Sequence, residues 1–250
     1  MKFEDMINTI QLGNCYELIK NIPDKSIDCI YVDIPYLIGK GGNIVNEKTS
    51  VLKKRIVKND KELLNANIHN GIDYSVFDEF IRVLKNINCF IWCSKEQIYD
   101  ILKWFQRNTD SVYQILTWNK TNPTPMCSGN WLPDIEYCLY FNRGTKLNDG
   151  YELKSKWYIS AINKKDKDLF KHPTIKPLEL VKRHILHTTQ PNDIVLDCFC
   201  GSGTTCVACK ETGRRYIGME IDPEYHKIAV DRVNGIEASG QITIFSEDVK

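Results

Sequence analysis

Apolar residues recur along this chain in two periods. Short runs or alternations bounded by turn residues predict strands, and recurrence at three and four positions predicts helices. Ile7 to Leu12, Ile27 to Val32, Cys89 to Cys93, Val112 to Trp118 and Glu136 to Phe141 read as strands. Among them fall a helix from about Tyr16 to Ile22, ended by Pro23-Asp24, and a second whose Val76, Phe77, Phe80, Ile81, Leu84 and Ile87 share one face, with Asp73 as its cap. Ser94 and Gln97 form a capping box for a third through Ile98, Ile101, Leu102 and Phe105. A helix from Leu178 to about His187 precedes the most legible stretch: strand Ile194-Val195-Leu196, a loop with Gly201 and Gly203, and a helical pattern opening at Thr204-Thr205. A strand from Arg215 to Met219 then ends in Glu220, and Asp222-Pro223 starts another helix. Gln241 to Phe245 would add one edge strand. Strands alternating with amphipathic helices predict a three-layer α/β sandwich in one domain.

Two stretches break the pattern. Residues 37–73 are long and polar, with Gly39, Gly41 and Gly42 followed by Lys48, Lys53, Lys54, Arg55, Lys58 and Lys61. Residues 142–171 lose the apolar signal, and Lys154, Lys156, Lys164, Lys165, Lys167 and Lys171 surround Tyr151, Trp157 and Tyr158. Structureless loops of such length inside a compact domain are usually functional or disordered. Basic residues interleaved with aromatics suit a nucleic-acid surface, because cations meet phosphates and flat rings stack on bases. Solvated surface and an insert with its own small core are the plainer accounts. A net charge of only +1 excludes a uniformly basic surface, so any nucleic-acid contact must come from patches like these.

With 250 residues and 42% hydrophobic content, the chain can bury one substantial core. No run approaches the roughly 18 apolar residues of a membrane helix, and Met1 to Gln11 has neither a basic flank nor a long apolar run, which reads as cytoplasmic rather than exported. Of ten cysteines, several sit inside apparent strands or helices, where a reduced thiol behaves as a small hydrophobe. Cys198 with Cys200 and Cys206 with Cys209 have metal-like spacings, but the second pair falls on a helix rather than a turn, so no metal is expected.

The chemistry concentrates in the glycine stretch. Strand, glycine loop, helix, and then Glu220 about 20 residues past the glycines suit a nucleoside, because a carboxylate can accept both ribose hydroxyls. A dinucleotide fingerprint needs a third glycine where Cys206 stands, and no lysine follows to make a phosphate-binding loop. An adenosine cofactor without phosphates fits, S-adenosylmethionine above all. Backbone approach to the ligand at Gly201 and Gly203 would leave no room for a side chain. At the end of an earlier apolar strand, Asp33-Ile34-Pro35-Tyr36 sits where open α/β sheets place ligands.

Together these segments resemble the prokaryotic and phage DNA amino-methyltransferases of the adenine-N6/cytosine-N4 group. The family's catalytic D-P-P-Y appears as Asp33 to Tyr36, its F-x-G-x-G as Phe199 to Gly203 and its H-P-x-x-K-P as His172 to Pro177. Catalytic motif first and cofactor motif last is the circularly permuted order of the β subgroup. The resemblance implies a Rossmann-like S-adenosylmethionine-dependent methyltransferase fold with a mostly parallel sheet. It implies a catalytic group of Asp33, Ile34, Pro35 and Tyr36, and a cofactor group of Asn14, Lys176, Asp197, Phe199, Gly201, Ser202, Gly203, Thr204 and Glu220. It also implies double-stranded DNA as the partner, contacted by the inserts at 37–73 and 142–171, with a homodimer and a cognate restriction endonuclease as further partners. Ile34 replaces the family's first proline, and Asn14 stands where an aspartate is common near the adenine. An Ile34→Pro change is expected to be tolerated provided the Ile34 N–H has no strand partner.

The implied reaction moves a methyl group to the N6 amine of a flipped adenine. Tyr36 would stack on the base, contributing roughly 1–3 kcal/mol. The Asp33 carboxylate and the Ile34 carbonyl would accept the amine's two N–H bonds. Cytosine N4 is the alternative target, and a catalytically silent module for DNA binding or dimerisation is the alternative from another class.

Overall fold

The computed structural model describes residues 2–37, 71–123, 131–162 and 175–236. Its strands are β1 (Thr9–Leu12), β2 (Cys29–Asp33), β3 (Ile87–Cys93), β4 (Val112–Lys120), β5 (Ile135–Arg143), β6 (Trp157–Ser160), β7 (Ile194–Asp197) and β8 (Arg215–Glu220). They form one sheet in the order β1-β8-β7-β2-β3-β5-β4-β6. Only the two pairings made by β5 are antiparallel, so β5 alone runs against the other described strands.

The helices are α1 (Phe3–Met6), α2 (Cys15–Leu18), α3 (Val76–Val83), α4 (Ile98–Asn108), α5 (Leu178–Thr188), α6 (Thr204–Glu211) and α7 (Pro223–Val233). Side chains alternate across a strand, and β2 shows the result. Ile30 and Val32 join a core with α1 to α4, while Cys29 and Tyr31 join a core with α5 to α7. Three layers follow. Phe105 of α4 stacks on Phe141 of β5 at 3.7 Å, and burying each such ring contributes about 2–3 kcal/mol.

Several element boundaries differ from the sequence expectation. The helix at Tyr16 to Ile22 is a single α-turn, α2, followed by a 3-10 turn at Ile19–Asn21. Leu84 and Ile87 do not extend α3: Leu84 bridges to Ile27, and Ile87 begins β3. Asp73 accepts from the Ser75 N–H, one turn ahead of the helix, rather than capping it directly. Of the capping box, the Gln97 half forms, its side chain accepting from the Ser94 N–H, whereas Ser94 Oγ donates to the Leu37 carbonyl.

The stretch 142–171 contains β6, which adds to β4 as a parallel edge strand. It is therefore in part sheet and not simply an insert. Its alternation was hidden because Trp157 and Ile159 lie on an uncovered face. Most of 37–73, Lys164, Lys165, Lys167 and Lys171, His172 to Thr174 and the strand expected at Gln241 to Phe245 lie outside the described residues. Among the described helices none is long and apolar enough to cross a membrane.

Candidate active site

The chain steps from β7 to β8 in one direction across the sheet and from β2 to β3 in the other. Strand order therefore reverses between β7 and β2, and the crevice outside their carboxyl ends is where open α/β sheets bind ligands. A cavity of about 270 Å³ opens there, lined by Asp33 to Tyr36, by residues 197–202, 204 and 205, and by Asn14, Lys176, Glu220 and Ile221 among others.

On the β7 side, backbone N–H groups do most of the holding. Asp197 Oδ1 accepts from the Phe199 N–H at 3.1 Å, Glu220 Oε2 from Gly201 at 2.8 Å, and Glu220 Oε1 from Asp222 at 2.9 Å. Gly201 (φ 50°) and Gly203 (φ 79°) occupy the left-handed region that favours glycine. Burial pushes the Asp197 carboxyl up to about 7, against the opposing bonds from Thr205 and Phe199, and it raises Glu220 as well. An acidic lining of this kind repels a pyrophosphate and suits a cationic ligand.

Gly203 does not line the cavity. A Cβ placed on it would stand 3.0 Å from Ala229 Cβ, so its small size serves the approach of α6 to α7. The dinucleotide fingerprint's packing glycine, absent at Cys206, has a counterpart on the strand: a Cβ on Gly218 of β8 would meet Cys206 Sγ at 2.9 Å. Asn14 lines the cavity, and its side-chain oxygen caps α2 by accepting from the Tyr16 N–H at 3.0 Å.

On the β2 side, charge does the holding. Lys176 is buried and donates to Asp33 Oδ2 (2.5 Å), Glu136 Oε2 (2.9 Å) and the Tyr36 hydroxyl (3.1 Å). Glu136 Oε1 pairs with Lys120 at 2.5 Å, and Tyr36 donates to Glu136 Oε2 at 3.3 Å. Burial works to raise Glu136, but the two lysines overcome it and hold its carboxyl at about 2. For Asp33 burial prevails over Lys176, and the nearby Glu136 adds to the rise. Lys176, expected with the cofactor group, thus stands against the D-I-P-Y segment and bridges two carboxylates.

The backbone of that segment is pinned. The Ile34 N–H donates to the Trp92 carbonyl, Gln97 Nε2 to Pro35 and the Gly71 N–H to Tyr36. The condition for a harmless Ile34→Pro change is therefore not met. Two acceptors are left over: among the described residues, Asp33 Oδ1 is buried without a hydrogen-bond partner, and the Ile34 carbonyl accepts no hydrogen bond. An unsatisfied buried acceptor is costly unless a donor arrives.

All the sequence-expected site residues except Gly203 line one cavity. Sequence reasoning missed Glu136 and Lys120 as members of the polar network, and Tyr16, Ile72, Ile221 and Tyr225 as walls. Glu136 left one signal, a carboxylate directly before the apolar run Tyr137 to Phe141.

A family model described as DNA methylase matches residues 27–231. The chain is 32% identical to the Type II methyltransferase M2.MboI of Moraxella bovis, over 93% of this chain and 90% of that protein. It is 31% identical to the Type II methyltransferase M.HinfI of Haemophilus influenzae, over 98% of this chain and 74% of the relative. Among solved structures, the M1.HpyAVI–SAM complex is similar with a TM-score of 0.66 at 27% identity, covering 90% of this chain and 98% of that one. The cytosine-N4-specific PvuII DNA methyltransferase shares the fold at 16% identity, with a TM-score of 0.65 over 89% and 85% of the two chains.

Proposed function

This chain belongs to the prokaryotic DNA amino-methyltransferase family, and from that premise we propose that it methylates the N6 amino group of an adenine flipped out of double-stranded DNA, with S-adenosylmethionine as donor. The observation that carries the reading is Asp33 Oδ1, a buried acceptor with no partner among the described residues, at the crevice between β2 and β7. With the Ile34 carbonyl it offers two acceptors to an amine with two N–H bonds. Drawing both protons toward the protein leaves the nitrogen lone pair free to attack, and the Asp33 carboxylate stabilises the positive charge that grows on nitrogen. The Tyr36 ring, its hydroxyl tied to Lys176 and Glu136, offers a fixed face for the base.

The residues on the β7 side fit the donor. Asp197 and Glu220 line their part of the cavity with carboxylates, and Phe199 and Ile221 supply apolar walls. Bound there, S-adenosylmethionine supplies an electrophilic methyl on a sulfonium. Glu220 would accept the ribose hydroxyls with the lone pairs that Gly201 and Asp222 leave free. Asp at the first position of the D-I-P-Y segment supports adenine over cytosine. Similarity to M2.MboI and M.HinfI, both named Type II methyltransferases, supports a role in modifying DNA at specific sites.

The test uses labelled S-adenosylmethionine and mixed-sequence duplex DNA, followed by digestion and identification of the modified nucleoside. N6-methyladenine is expected, and Asp33→Ala should transfer at least about 10²-fold more slowly while its cofactor affinity by calorimetry stays close to wild type. N4-methylcytosine would replace the adenine reading. No transfer by a wild type that binds the cofactor would overturn methylation altogether.

A further inference from the structure

Glu136 of β5 does not line the cavity but meets two residues that do, Lys176 and Tyr36, and nothing in the D-I-P-Y segment calls for a second carboxylate there. It stands in a buried line of alternating charge: Asp33, Lys176, Glu136, Lys120. The Lys176 side chain is only 5% exposed and that of Glu136 12%. An ammonium has three N–H donors, and Lys176 spends one each on Asp33 Oδ2, Glu136 Oε2 and the Tyr36 hydroxyl. None remains for Asp33 Oδ1. Without Glu136, the same buried lysine would have Asp33 as its only carboxylate among the described residues and would move onto it, covering both oxygens and cancelling the charge the reacting amine needs.

We infer that Glu136 is a positioning residue for methyl transfer: it draws Lys176 aside so that one Asp33 oxygen stays open, and it anchors the Tyr36 hydroxyl so that the ring is held for the base. This rests on the reading of Asp33 and Tyr36 given above. Glu136 touches neither the target amine nor the cofactor in this role; it acts through Lys176 and Tyr36.

The role has a signature in pH. Among the described residues, the titratable groups facing Asp33 are Lys176, Glu136, Tyr36, Asp197 at the end of β7, Cys93 of β3, Cys138 of β5 and Tyr31 of its own strand. Two carboxylates sharing one lysine oppose each other's ionisation. Removing the charge of Glu136 lets Asp33 ionise more readily, so the acid limb of the rate should move to lower pH even as the rate itself falls. A purely structural role would lower the rate without moving the limb in that direction.

The experiment is single-turnover methylation of duplex DNA by the full chain across the acid limb, for wild type, Glu136→Gln, Glu136→Asp and Asp33→Ala, with S-adenosylmethionine affinity measured alongside. Glu136→Gln should slow transfer about tenfold or more, keep cofactor affinity close to wild type and shift the acid limb downward, and Glu136→Asp should recover part of the rate. Should Glu136→Gln fail to bind the cofactor, Tyr36→Phe carries the test, since it removes only the hydroxyl that Glu136 anchors and must slow transfer. An acid limb unmoved in Glu136→Gln, whatever its rate, or wild-type rates in Tyr36→Phe, would overturn the inference while an inactive Asp33→Ala leaves the amine site standing. An inactive wild type would overturn both.

Discussion

On the β7 side of the crevice, the groups facing the cavity come largely from one run, residues 197–205, closed by Glu220, and backbone N–H groups hold the two carboxylates. On the β2 side, the polar groups come from residues 33–36, 120, 136 and 176, and ion pairs hold them. The first half fixes a conformation, and Cys198 and Cys200 occupy its loop as buried free thiols. The second half fixes a pattern of charge, and its backbone positions matter mainly as anchor points. Disturbing backbone shape should therefore harm the first half most, and disturbing charge the second.

Gly203→Val offers the most forceful way to break that contrast. The new side chain would adopt a left-handed conformation and press on Ala229, with its Cβ 3.0 Å from Ala229 Cβ and 3.2 Å from Ala229 Cα. Strain and overpacking together should remove about 3–5 kcal/mol of stability, read from urea denaturation. A loss below about 1 kcal/mol would mean that the β7 half does not depend on its backbone shape.

A second comparison uses the sign of a pH dependence. Asp197, buried with backbone and hydroxyl partners, has a folded value of about 7 against an ordinary 3.8. Its contribution to stability is complete below the ordinary value and is lost as pH rises through about 7. Asp197→Asn should therefore be more stable than wild type above that value, by on the order of 2 kcal/mol, with the advantage fading in acid. Glu136, held at about 2 against an ordinary 4.5, runs the other way: its contribution is present above the ordinary value and is lost as pH falls through about 2. Glu136→Gln should destabilise at neutral pH. Denaturation midpoints across pH that move in the same direction for both variants would erase the distinction between the halves.

The gentlest probe is Ile34→Pro. It removes the N–H that donates to Trp92 at 3.2 Å and leaves the Ile34 carbonyl in place. Stability should fall by about 1 kcal/mol, visible as a lower thermal midpoint, while transfer stays within about tenfold of wild type. A larger loss of rate than of stability would show that the carbonyl depends on that N–H anchor.

The same contrast explains what could be read from the chain unaided. Gly201, Gly203 and Glu220 lie within one strand-loop-helix-strand unit, so local spacing carried their meaning, although the physical reason for Gly203 emerged only once α7 was seen beside it. Asp33 to Tyr36 was equally local. Glu136 and Lys120 meet only because β4 and β5 pair antiparallel in a register that sets Trp118 against Glu136 and Asn119 against Ile135. Local periodicity does not encode such a register. β6 escaped for another reason: an edge strand whose Trp157 and Ile159 face an uncovered surface lacks the contrast between core and solvent that reveals a buried strand.

The contact between Cys206 and Gly218 bears on how such chains are recognised. Helix α6 and strand β8 approach closely because one member of the facing pair lacks a side chain, and here that member is the strand residue. The quantity under constraint is the summed volume across the pair, which either partner can surrender. A pattern that scores positions one at a time sees a glycine missing at 206, whereas one that scores the two positions jointly sees the requirement met.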